Sequence, residues 1–165
     1  DAVAIAEDIQ TGVDDYGIFD GRLAYEVDGM GNALFIDDAN VPSLLSLPYL
    51  EAMDIEDPVY QKTRSFILSE ENPFFFTGTT AKGIGSIHTP SGHVWPIAIA
   101  IEALTSNDSM KQSEALEVLE ATDAGTNRMH ESFNVDNPSI FTRPWFSWSD
   151  MTYVELVLRN SGYRA

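Results

Sequence analysis

The sequence predicts an all-α fold built from helical hairpins. Apolar residues recur at helical spacing in six blocks of the 165-residue chain. Long loops at about 16–41, 70–94 and 125–146 separate these blocks in pairs, and the loop midpoints recur about every 54 residues. Alternation of apolar and polar residues is confined to one possible hairpin. Stacked helical pairs can close into a ring, so three pairs would form about half of a six-pair toroid, and an open bundle is the alternative.

The first three helical blocks lie before residue 70. Residues 1–13 have the pattern of a helix that ends at Gly12. A second helix is predicted over residues 41–50, where leucines recur on one side. The pair Asp57-Pro58 predicts the third helix, which would run over residues 57–69, because an acidic cap followed by proline is a typical helix start.

The second half of the chain carries three more helical blocks. Residues 94–104 are apolar nearly all round, which predicts a buried helix. Residues 109–122 are amphipathic, and residues 149–158 form the last block. The only strand signal is a possible hairpin over residues 22–35, with glycines at its turn.

Composition excludes several classes of protein. The 9 basic and 26 acidic residues give a net charge of −17, a field that repels nucleic acid and anionic membrane surfaces. Cysteine is absent, so neither disulfides nor thiolate-held metals are expected. The triplet Asn107-Asp108-Ser109 is a glycosylation acceptor pattern that is compatible with secretion, and the compartment stays open. A neutral partner such as a glycan is not opposed by the charge.

The third long loop carries the most informative residues. His130 and Glu131 are followed by Arg143 and Trp145. Sugar-cleaving sites use a carboxylate for proton transfer, a planar cation for hydroxyl groups and indole rings against the sugar face. Glu131 is therefore the candidate catalytic residue, with a purely structural glutamate as the alternative. Arg143 precedes a proline and is expected in extended geometry, where it could bind sugar hydroxyls or hold Glu131 ionised.

The first two loops add further candidates for binding a sugar. Asp37, Asp38 and Asn40 end the first loop, and His88 lies in the second. Successive side chains of an extended segment point to opposite sides, so one acid would face a pocket. The other would cap the helix expected near residue 41, a role for which Asp38 or Asn40 is suited. His130 is expected to orient a neighbour or bind a hydroxyl group, and the alternative is a buried histidine whose ring is satisfied by the backbone. No spacing typical of metal ligands occurs, so no metal and no cofactor are predicted.

Four segments of the chain resemble signatures of glycoside hydrolase family 125. They are residues 37–50 (DDANVPSLLSLPYL), 83–86 (GIGS), 129–133 (MHESF) and 142–146 (TRPWF). Two departures lie at the edges of these segments. Ile87 stands where the family pattern has proline, and Ser147, Ser149 and Asp150 replace the usual alanine and asparagine.

The resemblance implies a fold, an activity and a set of site residues. Members of the family are exo-acting α-1,6-mannosidases with an (α/α)6 toroid that invert anomeric configuration without a metal. Glu131 matches their general base. The remaining candidates would shape the site for the non-reducing mannose, namely Asp37, Asp38, Asn40, His88, His130, Arg143 and Trp145.

Length places a limit on what the resemblance implies. Family members are more than twice as long, and residues 1–165 resemble the C-terminal part of their single catalytic domain. The family's general acid, an aspartate, lies upstream and has no counterpart here. The expected partners are therefore a mannose-containing glycan and the remainder of the catalytic domain. Two other hypotheses are a non-catalytic mannoside-binding domain and a purely structural half-toroid with an exposed apolar flank.

Overall fold

The computed structural model describes residues 1–163, which contain five helices and nine short strands. The helices are α1 (Ala2–Tyr16), α2 (Pro58–Ile67), α3 (Pro96–Leu104), α4 (Ser109–Ala121) and α5 (Ser147–Asn160). The strands are β1 (Ile18–Phe19), β2 (Arg22–Leu23), β3 (Glu26–Val27), β4 (Ala33–Leu34), β5 (Phe75–Thr77), β6 (Lys82–Ile84), β7 (His93–Val94), β8 (Ser132–Asn134) and β9 (Phe141–Thr142). They form three antiparallel pairs (β1–β2, β3–β4 and β5–β6) and one three-stranded sheet in the order β7–β8–β9.

Helix α3 lies at the centre of the core. Of its nine residues all but Glu102 are buried, and the helix packs against both α4 and α5. Arg64 from α2 covers its C-terminal end, where it donates hydrogen bonds to Thr105 Oγ1 (2.7 Å) and to the carbonyl of Glu102 (2.8 Å). The second of these bonds satisfies a backbone carbonyl group that the last turn of a helix leaves open. The prediction of a buried helix here is confirmed, although residues 94 and 95 lie outside it.

Three further helices agree with their sequence patterns. Helix α2 begins after Asp57, whose carboxylate accepts the backbone N–H groups of Val59 and Tyr60, as the Asp-Pro pair predicts. Helix α4 begins at the expected residue and ends one residue earlier than expected, and α5 extends two residues further at each end. Helix α1 continues through Gly12 to Tyr16, so the predicted end at that glycine is wrong. An interior glycine costs only about 1 kcal/mol relative to alanine and does not stop a helix by itself.

The helix predicted over residues 41–50 is absent, and the prediction is wrong. The segment is a succession of bends and turns. The backbone N–H groups of Leu44 and Leu45 donate to the carboxylate of Asp37, at 3.0 and 2.9 Å. Pro48 has no N–H to donate to the carbonyl four residues earlier. The leucine spacing is helical, but the segment contains two prolines and two of its N–H groups bond to the Asp37 carboxylate. The regular helical hydrogen bonds therefore do not form.

The strands are mostly unpredicted. The hairpin expected over residues 22–35 exists in shortened form as β3 and β4, with Gly29 and Gly31 in its turn at φ of 70° and 96°. Residues 22–23 pair instead with residues 18–19. The sequence predicts strands only in the hairpin over residues 22–35, and the other small sheets show that this prediction is incomplete. Each of their strands has two or three residues, which is too short to show alternation.

Helix α1 has no buried residue. Four apolar residues at spacings of four, four and three share one side and are 38–66% exposed, namely Ile5, Ile9, Val13 and Tyr16. We call this set the α1 stripe. Within residues 1–163, none of the helices has both the length and the apolar character needed to cross a bilayer.

Candidate functional site

Glu131 and Arg143 form an ion pair at one end of the three-stranded sheet. Glu131 immediately precedes β8, and Arg143 immediately follows β9. The antiparallel register pairs Ser132 with Thr142, and the N–H of Glu131 donates to the carbonyl of Thr142 at 3.2 Å. The two side chains therefore emerge together, and Nε of Arg143 lies 3.1 Å from Oε1 of Glu131.

The two partners of this pair differ in exposure. The side chain of Glu131 is 13% exposed, whereas that of Arg143 is 62% exposed. The guanidinium carbon also lies 5.3 Å from the centre of the Phe146 ring, within the range of a cation–π contact. Among residues 1–163 this mostly enclosed carboxylate has one polar side-chain partner, and that partner is mostly exposed.

Arg143 does not have the extended backbone that its position before Pro144 predicts. Its φ is 51°, in the left-handed region, so that prediction is wrong. A residue with a side chain is strained there by about 1–3 kcal/mol and stays there only where its surroundings hold it. The carbonyl of Arg143 lies 3.2 Å from Nδ1 of His130, which supplies one such contact.

His130 lies inside the protein behind Glu131. It is 1% exposed, and its ring stacks face to face on Phe141, with centres 3.7 Å apart and an interplanar angle of 1°. Besides the Arg143 carbonyl, its Nε2 lies 3.2 Å from the carbonyl of Asp123. Both ring nitrogens therefore face backbone oxygens rather than an open surface.

Asp37 is fully buried at the end of the first loop. Its carboxylate accepts the N–H groups of Leu44 and Leu45, and its backbone bonds in both directions to the side-chain amide of Asn72. Burial raises the pKa of Asp37 to about 7, and the nearby Asp38 adds to the rise, although the two backbone donors oppose it. Since no helix forms over residues 41–50, neither Asp38 nor Asn40 caps one, and Asp37 is the acid that accepts N–H groups of that segment.

Asp38, Asn40 and His88 meet around Ser86 where the first two loops join. Asp38 Oδ1 accepts from the N–H of Asn40 (2.8 Å), and Asp38 Oδ2 accepts from the Ser86 hydroxyl (3.2 Å). The N–H of His88 donates to that same hydroxyl oxygen at 3.2 Å, and His88 itself is exposed. A backbone bond from Ala39 to the carbonyl of Gly85, 2.9 Å, fixes the two loops together.

Gly85 permits a close approach between the second loop and β7. A Cβ atom placed on it would lie 2.1 Å from the carbonyl oxygen of His93 and 2.8 Å from the Phe76 ring, so only glycine fits. His93 is buried, and its Nδ1 lies 3.1 Å from the Ser132 hydroxyl. Burial lowers the pKa of the His93 ring.

Two aromatic rings connect the second loop to the ion pair. Trp95 is buried and donates from Nε1 to the Thr89 hydroxyl at 2.9 Å. Its ring packs edge-to-face on Phe146, with centres 6.1 Å apart, and Phe146 is the ring beneath Arg143. All three long loops are therefore linked through contacts of buried or half-buried residues.

Trp145 is 61% exposed and presents most of its indole ring outward. It lines a shallow cleft of about 390 Å³ together with Arg128 and Met151. Trp148 is 38% exposed, so neither tryptophan belongs to the buried core.

Two residues that sequence reasoning did not single out hold the site together. Ser86 joins Asp38 to His88, and Phe146 supports the guanidinium of Arg143. Both lie inside segments quoted above, GIGS and TRPWF. The sequence placed them in the right segments but carried no signal of their contacts.

Comparisons with known proteins extend over nearly the whole chain. The family described as metal-independent alpha-mannosidase (GH125) matches residues 1–158. The meiotically up-regulated gene 157 protein of Schizosaccharomyces pombe is 48% identical over 163 residues, which are 95% of this chain and 32% of that protein. A solved structure from Streptococcus pneumoniae superposes with a TM-score of 0.93 at 47% identity. It is described as a metal-independent alpha mannosidase in a non-productive complex with alpha-1,6-mannobiose.

The solved structure also defines the architecture. The match covers 96% of this chain and 38% of the pneumococcal chain, so the chain spans less than two-fifths of the length of either relative. At this similarity the five helices are part of an (α/α)6 toroid, as the sequence predicts, with only small antiparallel sheets added, although one helix of the three predicted pairs is absent. The chain therefore belongs to the metal-independent α-mannosidase family, glycoside hydrolase family 125.

Proposed function

We propose that this chain is the C-terminal part of an inverting exo-α-1,6-mannosidase in which Glu131 is the general base. The observation that carries the proposal is the geometry of Glu131, a 13% exposed carboxylate whose Oε1 lies 3.1 Å from Arg143 Nε. A general base must be ionised and positioned at the reacting centre. The contact with Arg143 and the register of β8 and β9 fix the position of the Glu131 carboxylate.

The proposed reaction needs two carboxyl groups with different tasks. Glu131 takes a proton from a water molecule as that water attacks the anomeric carbon, and a carboxylic acid on the opposite side protonates the departing oxygen. Because the water arrives on the face opposite the leaving group, the released mannose has the β configuration. The second carboxyl group is proposed to come from the part of the catalytic domain that this chain does not span.

The linkage in the proposal is supported by the pneumococcal relative, whose structure contains alpha-1,6-mannobiose. We assign five residues to the non-reducing mannose, because their polar or aromatic groups are half-buried or exposed or lie where the loops meet: Asp38, Asn40, His88, Arg143 and Trp145. Asp37 is assigned instead to shaping the first loop, since its two oxygens already accept backbone N–H groups inside the protein.

The remainder of the catalytic domain is the proposed protein partner. The α1 stripe presents four apolar side chains, each at least 38% exposed, on one side of a helix with no buried residue. A contiguous apolar surface of this kind is typical of an interaction site. We propose that neighbouring helical hairpins of the toroid cover the α1 stripe, as adjacent hairpins cover one another in a closed ring.

Hydrolysis of α-1,6-mannobiose by the purified complete protein tests the mechanism. The intact mass is measured first, and the anomer released is then followed by NMR before mutarotation. Initial release of β-mannose is the expected result. Initial release of α-mannose would mean retention and would remove the general-base role, and cleavage of α-1,2 or α-1,3 but not α-1,6 linkages would reject the linkage.

A second candidate function is mannoside binding without hydrolysis. The chain covers 38% of the pneumococcal relative, and only one of the two carboxyl groups that hydrolysis requires is proposed to lie within it. This observation favours binding without hydrolysis. Titration of the 165-residue chain with α-1,6-mannobiose, followed by calorimetry, distinguishes the two. Saturable binding together with no hydrolysis by the complete protein would favour this candidate over the mannosidase.

A further inference from the structure

The left-handed conformation of Arg143 requires a cause. Its φ of 51° is unfavourable for any residue with a Cβ atom, and the next residue is Pro144. Glycine, which adopts this conformation without strain, does not occupy the position. The strain is therefore balanced by contacts that the conformation makes possible, and these contacts lie on the side chain and on the carbonyl group of Arg143.

The side-chain contact leads to Glu131 and the carbonyl contact leads to His130. Arg143 Nε is 3.1 Å from the Glu131 carboxylate, and the Arg143 carbonyl oxygen is 3.2 Å from His130 Nδ1. His130 and Glu131 are adjacent in sequence, and each contacts Arg143. The three residues are therefore connected to one another by one peptide bond and two non-covalent contacts. Moving any one of them shifts the other two.

Packing holds the His130 ring in place among these three residues. It is 1% exposed and stacks flat on Phe141 at 3.7 Å, so the ring cannot rotate out of its position without unpacking. Its Nε2 faces the carbonyl of Asp123 at 3.2 Å. A ring with one proton donates to one of the two carbonyl groups, and the strained residue lies on the Nδ1 side.

We propose that His130 is a positioning residue that donates from Nδ1 to the carbonyl of Arg143 and so holds the guanidinium against Glu131. Its effect on the reaction passes through Arg143 to the carboxylate. This inference rests on the proposed role of Glu131 as the base. It gives His130 a task that needs no contact with the sugar, in agreement with its burial.

Two substitutions of His130 separate this role from simple packing. In His130→Asn the side-chain amide nitrogen can occupy the position of Nδ1, whereas in His130→Gln it reaches the position of Nε2. Both variants lose the ring stacked on Phe141, and asparagine leaves the larger cavity, so a loss that comes only from packing would be at least as large in His130→Asn as in His130→Gln. In the complete protein we expect kcat to be about tenfold or more lower in His130→Gln than in His130→Asn, with little difference in KM between the two variants.

NMR of the Arg143 side chain gives a readout that does not depend on activity. The Nε–H signal of an arginine bound to a carboxylate is shifted from that of free arginine, and we expect the shift in the wild type and in His130→Asn but not in His130→Gln. If the wild type does not hydrolyse mannobiose while this pattern holds, the proposed function fails and the positioning role stands. Equal losses of signal or of kcat in both variants would overturn the positioning role.

The tautomer of His130 tests the proposal without any substitution. Long-range ¹H–¹⁵N correlation spectra of the wild type show which ring nitrogen carries the proton. A proton on Nδ1 is expected. A ring protonated only on Nε2 cannot donate to Arg143 and would overturn the proposal even if both variants failed to fold.

Discussion

Ser132 and Thr142 face each other across β8 and β9, and their hydroxyl oxygens lie 2.8 Å apart. Each is the sequence neighbour of one member of the Glu131–Arg143 pair. Ser132 is fully buried, and its oxygen also lies 3.1 Å from Nδ1 of His93 on β7. One hydroxyl group therefore connects all three strands directly behind the ion pair.

Replacing Ser132 with alanine should destabilise the protein. The substitution leaves His93 Nδ1 and the Thr142 hydroxyl without a buried partner, which costs about 1–3 kcal/mol. Urea unfolding measures the loss. Ser113→Ala is the matched control, since that hydroxyl is exposed and its removal should change the free energy of unfolding by at most about 0.5 kcal/mol. Equal effects of the two substitutions would contradict the structural role of the Ser132 hydroxyl.

Replacing Glu131 with glutamine should abolish base catalysis while leaving the shape of the site intact. We expect kcat of the complete protein to fall by about 10²–10⁴-fold, the usual contribution of a general base, while mannobiose still binds. Steady-state kinetics and calorimetry measure the two effects. The exposed Glu117→Gln serves as the control and should behave like the wild type. Hydrolysis that survives in Glu131→Gln would remove this residue from the mechanism.

Asp37 predicts a distinctive dependence of stability on pH. Its pKa is about 7 in the folded protein against 3.8 in the reference state, because burial disfavours the charge. Between these values the folded state binds the extra proton, so the stabilising contribution is complete below 3.8 and is lost as the pH rises through about 7. The full loss is on the order of 4 kcal/mol.

The variant Asp37→Asn isolates this effect, since the amide does not titrate. The wild type should lose stability relative to the variant as the pH rises from about 4 to about 8. Urea unfolding of both proteins at several pH values measures the difference. A difference that stays constant, or one that grows in favour of the wild type, would show that Asp37 remains ionised in the folded protein.

Gly85 should not tolerate a side chain. A methyl group there would lie 2.1 Å from the carbonyl oxygen of His93, and backbone cannot yield cheaply, so Gly85→Ala should cost about 3 kcal/mol or more. Gly12→Ala gives the opposite sign. Gly12 lies inside α1 with nothing within 4 Å of an added Cβ, so alanine should stabilise by about 0.5–1 kcal/mol. Thermal unfolding distinguishes the two, and a stable Gly85→Ala would disprove the close approach.

The α1 stripe predicts that a lysine substitution lowers the free energy of unfolding of the complete protein when it lies in the stripe and not when it lies on another side of the helix. If other hairpins cover the stripe, Ile9→Lys buries a charge and should lower the free energy of unfolding by several kcal/mol. Thr11→Lys adds the same charge on another side of the helix and should change it by at most about 0.5 kcal/mol. Comparable, small effects of both substitutions would mean that the stripe stays open to solvent.

Helical spacing predicted α3, α4 and α5, which pack against one another, and the Asp57-Pro58 pair predicted the start of α2. It failed at residues 41–50, where the leucines are spaced as in a helix but the hydrogen bonds go to Asp37 and to turns. That outcome depends on a contact seven and eight residues away, which no local pattern carries. Strands of two or three residues left no alternation to detect.

The site was predictable in its members more than in their arrangement. The chemistry of Glu131 and Arg143 makes both residues candidates from the sequence. The register of β8 and β9 then places Arg143 Nε 3.1 Å from Glu131 Oε1. The left-handed backbone of Arg143 opposes the local preference of a residue before proline, so only tertiary contacts could reveal it. The sequence also did not reveal that His130 and Asp37 are buried with their polar side-chain atoms against backbone groups.

The three-stranded sheet has a consequence for how a ligand would be received. A long polar loop normally samples many shapes, and a ligand that selects one of them forfeits part of its affinity to that ordering. Here β8 fixes the backbone that follows Glu131 and β9 fixes the backbone that precedes Arg143 before any ligand arrives, and β7 pairs with β8. The backbones of the free and ligand-bound forms should therefore superpose closely at this end of the toroid. The affinity for a ligand should then depend on its contacts with the site rather than on folding induced by binding.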